Sequence, residues 1–322
     1  MLRIFSQINI LSLLLLPLII AAYLYLHWNS VEGSLYAFET EELVNLGVWG
    51  IQRVGMLTND ILCFAFVLVN ATLLNYIFNK QNFYEKNSLL PGFIYVILLT
   101  NVREFYVFDG ALILHTFLIL ATNVLFRISF NELNFGALFN FGLFLGIGAT
   151  FSPKFYFALP LFYILILLSK PFKAREFLLY ITGWAIPQFY AAFFLFFYDI
   201  LNEKTLYSWW LFSYQIPYNY FMNTIIIGIV FISTLVGAKA VLSKTGIQLR
   251  KFSGAYFILM VVSTLVAFAV FLFFKRVDFF HFLILPLSLL FSVSLLKNKS
   301  NFVQMLAFYI ALIYSGLKFF FN

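Results

Sequence analysis

The side chains able to do acid–base or anion chemistry are few in this sequence, and they fall into short clusters. The densest is HWNSVEGSLYAFETEELVNLGVWGIQRVGM, residues 27–56, which sets Glu32, Glu39, Glu41 and Glu42 against the single cation Arg53. Carboxylates this close repel one another and raise one another's pKa, so such a group can act as a general base or hold a divalent cation through oxygen. A solvated acidic turn, or a first helical turn rich in Glu to suit the helix dipole, accounts for the same residues. Beyond the acids, Leu43, Leu46, Val48 and Ile51 with Trp49 give the pattern expected of a short helix lying at a membrane interface.

The second cluster, NVREFYVFDG, carries Arg103, Glu104 and Asp109. Its arginine can grip a phosphate in bidentate fashion or pair with either acid. A third position is Pro153-Lys154, where proline ends a helix and presents a lysine to an anionic head group or to the lipid surface. The last cluster, FFKRVDFFHFLILPLS, holds Lys275, Arg276, Asp278 and His281. Adjacent cations suit a phosphate or pyrophosphate, and pairing of Arg276 with Asp278 is the competing account. Asp60, just inside an apolar run, either faces a polar cavity or snorkels to the interface. His115 fits a hydrogen-bonded interior residue better than a ligand.

These clusters are carried by a strongly apolar chain. Of the 322 residues, 63% are hydrophobic and 10% charged, whereas a soluble domain carries about 25% charged residues. A soluble fold could not hide that much apolar surface, so the reading is a polytopic membrane protein. The single cysteine, Cys63, lies within an apolar run and excludes a disulfide framework, and three histidines are too few for a histidine-rich iron centre. The net charge of +7 is no nucleic-acid signature here, because its meaning depends on sidedness. Apolar runs at 8–27, 57–79, 89–101, 111–127, 135–151, 155–169, 177–198, 223–242, 253–274, 279–296 and 302–321 give about eleven spans, the third and sixth being short for a crossing of ~20 residues. The expected fold is an all-α bundle forming one integral membrane domain over 1–322, with no soluble domain.

Orientation follows from counting charges. With the N-terminus in the cytoplasm, 13 basic residues and three acids face inward, against seven basic residues and ten acids outward. That asymmetry fixes a cytoplasmic N-terminus and a periplasmic C-terminus. The outer loops are then 28–56, 102–110, 199–222 and 275–281. The third of these is rich in aromatics, including Tyr207, Trp209, Trp210 and Tyr214, which suit an interfacial belt, a sugar-stacking face or a groove for an isoprenoid tail. Paired cations at 275–276 stand out because the orientation rule does not explain them. Inner loops are short and basic, and no Gly-rich phosphate loop with lysine occurs, which disfavours an ATP-driven pump. A transporter would place broken helices and charges at span centres. Here the charges sit at span ends.

The arrangement resembles GT-C type glycosyltransferases, polytopic enzymes that take a sugar from a polyprenyl-phosphate carrier at the outer membrane face. The resemblance rests on the acidic first outer loop, on the second acidic loop with Asp109, on the run GIGATFSPKFYFALPLFYILILLSKPFKAREFLLYITGWAIP, and on His281 followed by Leu285-Pro286. The class commonly has Lys-Pro where this chain has Pro153-Lys154, and its catalytic acid falls where this chain has Glu39-Thr40-Glu41-Glu42. The resemblance implies a base among Glu39, Glu41 and Glu42, with Asp109 positioning the acceptor or holding a divalent cation. It implies Arg103, Lys154, Lys275, Arg276 and His281 as ligands of the donor phosphate, with a membrane lipid or polyprenyl-phosphate as partner. The whole chain also resembles a family of multi-span inner-membrane proteins of Bacteroidota, which implies a bacterial cell-envelope setting. A non-catalytic subunit scaffolding an envelope export or assembly complex, bound to a membrane-protein partner, is the alternative reading.

Overall fold

A computed structural model describes residues 5, 10–29, 41–46, 49, 51–84, 86–102, 105–130, 135–152, 156, 158–169, 173–197, 219–244, 254, 257, 260–261, 264, 281–297 and 302–320. The chain is mostly helical. In order, the elements are α1 (Ile10–Trp28), β1 (Glu41–Asn45), β2 (Ile51–Gly55), α2 (Met56–Lys80), α3 (Leu90–Leu99), α4 (Gly110–Phe130), α5 (Phe135–Phe151), α6 (Ala158–Ser169), α7 (Ala174–Phe197), α8 (Asn219–Lys244), α9 (His281–Lys297) and α10 (Phe302–Leu317). Helices α1, α2 and α7 are long and apolar enough to cross a membrane, and several shorter helices are equally apolar. Large apolar side chains point outward along them, among them Ile10 at 80% and Phe189 at 71% exposure. Water penalises such faces and lipid does not.

The stretch expected to be an interfacial helix is a β-hairpin instead. Its strands β1 and β2 pair in a two-stranded sheet. Between the strands, each five residues long, Trp49 N donates to Leu46 O at 3.4 Å.

The chain divides into two compact units. One comprises residues 1–43, 53–108 and 216–322, and the other residues 44–52 and 109–215. In the first unit, α3 is the centre: all ten of its residues are buried, and α2, α9 and α10 pack around it. Gly92 lets α3 approach α2, since a Cβ there would overlap the Asn75 amide and the Ala71 carbonyl oxygen.

A ten-residue helix is about 15 Å long, half the thickness of a bilayer core. The segment 88–108 nevertheless runs the length of α2, as a series of asparagines on that helix records. Asn79 Nδ2 donates to Ser88 O at 3.1 Å, and its Oδ1 accepts from Ser88 N at 2.8 Å. Asn75 Oδ1 accepts from Gly92 N at 2.6 Å. Asn70 Nδ2 donates to the Tyr95 hydroxyl at 3.4 Å. At the far end, Asn59 Nδ2 donates to Tyr106 O at 2.8 Å and its Oδ1 accepts from Phe108 N at 2.7 Å. Asn79 to Asn59 is about 30 Å of helix. The segment therefore covers that distance as α3 followed by turns at the described residues 100–102 and 105–108.

In the second unit, α5 lies between α4 and α7. Gly142 and Gly146 on α5 face the α7 backbone at Tyr180 and Trp184, Gly183 on α7 faces the backbone of Phe139 and Leu143, and Gly148 faces Leu114 of α4. Side chains at these places would separate the helices, so the small-residue face read from Gly142, Gly146 and Gly148 is the contact surface of α5.

Candidate functional site

The best-defined polar site gathers where α1 ends, α2 begins and the 105–108 segment passes, all within the first unit. Three residues knit it. Asn59, in the first turn of α2, is 2% exposed and binds the backbone on both sides of Val107 through the two bonds above. Asp60 follows it, half-buried, with the Asn59 amide 3.3 Å from its carboxylate. His27, in the last turn of α1, stacks on the Tyr106 ring with centroids 4.2 Å apart. The first acidic loop leaves the bundle just after His27 and re-enters just before Asn59. The second acidic loop is held to both of those ends.

A cation lies at the same place. Lys318, in the turn after α10, donates its ammonium to Thr100 O and sits over the rings of Tyr106 and Phe319, at 5.1 and 5.0 Å from their centroids. The Tyr106 hydroxyl donates to the same Thr100 oxygen at 3.0 Å. Tyr23 on α1 and Ser315 on α10 share a 2.6 Å hydrogen bond below this cluster.

In the second unit, Asp109 is the residue before α4. Its carboxylate accepts from the Ala111 N–H at 2.8 Å, an N-cap that satisfies one of the open amides of the helix. The hairpin tip belongs to this unit, and Trp49 packs there against Phe194 and Phe151, with centroids at 5.1 and 6.0 Å. Tyr156 donates to Gln188 Oε1 at 2.5 Å, and Gln188 Nε2 donates to Gly146 O at 2.7 Å.

Of the residues singled out from sequence, Asp109 is thus placed in full. Glu41 and Glu42 open β1 and His281 opens α9, their side chains lying outside the described residues. Glu39, Arg103, Lys154, Lys275 and Arg276 also lie outside the described residues. Among the described residues, no three His, Cys, Asp or Glu side chains gather as a metal-ligating group.

The residues that sequence reasoning passed over are Asn59, His27, Tyr106 and Lys318. One signal did point to Asn59: an amide next to an acid at the start of an apolar run is costly in lipid unless it has a partner. No known protein family, curated protein or solved structure matches this chain.

Proposed function

We propose that this chain is a multi-pass inner-membrane transferase of GT-C type, moving a glycosyl group from a polyprenyl-phosphate donor to an envelope acceptor at the periplasmic face. One observation carries the reading. Asn59 and His27 hold the 105–108 backbone against the two ends of the first outer loop, so the chain segments that lead into the two acidic loops meet at one end of the first unit. A transferase needs that convergence, because its base and its leaving-group ligands act on one anomeric carbon.

In this reading the acceptor hydroxyl loses its proton to one of Glu39, Glu41 or Glu42 as its oxygen bonds to the anomeric carbon. The bond from that carbon to the phosphate oxygen breaks, and polyprenyl phosphate leaves with the electron pair. Asp109 positions the acceptor or a divalent cation. Arg103, Lys154, Lys275, Arg276 and His281 supply positive charge to the departing phosphate. The N-terminus is cytoplasmic, so the His27–Asn59–Tyr106 end faces out.

The test is transfer of radiolabel from a panel of polyprenyl-phosphate sugars to an envelope glycan extract, with the purified chain in proteoliposomes. Replacing Glu39, Glu41 and Glu42 together by Gln should lower turnover by about 10²-fold or more, the ordinary worth of a general base. Full turnover in that variant and in Asp109→Asn would overturn the proposal. So would a wild-type chain inert with every donor, and stoichiometric co-purification of another membrane protein would then favour the scaffolding role.

A further inference from the structure

We infer that Lys318 is a positioning residue that clamps the open end of α3 and so fixes Thr100 against Tyr106. The inference goes beyond the transferase reading and needs none of its chemistry.

A helix that stops inside a packed bundle leaves its last carbonyls without helical partners, and each must be satisfied locally. The account for α3 closes residue by residue. Val96 O accepts from Thr100 N at 3.0 Å. Ile97 O accepts from the Thr100 hydroxyl at 2.7 Å and from Asn101 Nδ2 at 3.1 Å. Leu98 O accepts from Asn101 N, and Leu99 O from Val102 N. The final carbonyl, Thr100 O, takes the Tyr106 hydroxyl and the Lys318 ammonium.

Lys318 is the one charged donor in that set. It arrives from 218 residues away in sequence, carried by a helix pinned to α1 through Tyr23–Ser315 and to α8 through Tyr314–Asn223. A positive charge at a helix C-terminus is favoured by the dipole, and the Tyr106 and Phe319 rings add cation–π attraction. Tyr106 is itself the residue on which His27 stacks. Lys318 therefore acts on the outer junction by fixing the backbone on one side of Tyr106 and its ring on the other.

The experiment is cysteine labelling. With the sole native cysteine removed (Cys63→Ala), Val102→Cys places a thiol at the break and Trp28→Cys a control thiol on α1. The rate of reaction with a membrane-impermeant maleimide is then read on the full chain in proteoliposomes. Lys318→Met should raise the Val102→Cys rate about tenfold or more, the worth of one charged hydrogen bond, and leave Trp28→Cys unchanged. Lys318→Arg, which keeps both charge and donor, should restore the slow rate. Lys318→Gln, which keeps a donor alone and perturbs packing least, should fall between them. A wild-type rate in folded Lys318→Met or Lys318→Gln would overturn the clamp. So would failure of Lys318→Arg to rescue a faster rate.

Discussion

Replacing Asn59 with Ala tests whether the polar contacts along α2 hold the 88–108 segment in place. The substitution removes two short hydrogen bonds, to Tyr106 O and Phe108 N. An orphaned buried polar group costs about 1–3 kcal/mol. Phe108 is buried and takes the full cost, while Tyr106 is only partly buried and takes less. The expected loss is therefore about 2–4 kcal/mol. Asn70→Ala is the internal comparison, because its bond to Tyr95 is 3.4 Å long and joins two side chains, worth about 0.5–1 kcal/mol. Unfolding of the purified chain in mixed micelles with rising denaturing detergent reads both. A loss under about 1 kcal/mol for Asn59→Ala, or one no larger than that of Asn70→Ala, would refute the idea that these amides carry the segment.

Two further outcomes concern helix packing and a partly buried hydrogen bond. Gly142→Leu drives a side chain into the α7 backbone at Tyr180 and should cost more than about 3 kcal/mol, whereas Gly316→Ala, with open space around it, should be neutral or gain up to about 1 kcal/mol from helix propensity; yield and thermal aggregation in detergent distinguish them. Tyr156→Phe should cost about 1–3 kcal/mol by leaving Gln188 Oε1 without the phenol donor, read as a lower melting temperature in detergent.

The helices were legible because apolar runs read the same way in sequence and in space. The run 135–151 coincides with α5, and 57–79 differs from α2 by one residue at each end. The hairpin is not legible because the apolar residues Leu43, Leu46, Val48 and Ile51 fit no single period. The break after α3 was hidden for another reason. It is made by Thr100 and Asn101, uncharged residues that a hydropathy count passes over, so a search for charges at span centres does not find it. Lys318 was equally invisible, since a lysine just past an apolar helix looks like an interfacial anchor until the carbonyl it meets is known. For the acidic loops, sequence supplied the residue types, and only the contacts of Asn59 and His27 show their ends drawn together.

The half-length of α3 bears on how the protein is made. Ten helical residues span only about half of a bilayer core, and the carbonyl that ends them, Thr100 O, draws its charged donor from Lys318. In lipid so short a helix is favoured when paired with α2, whose asparagines meet Ser88, Gly92 and Phe108. The lysine contact closes only once α10 has been made, 218 residues after Thr100.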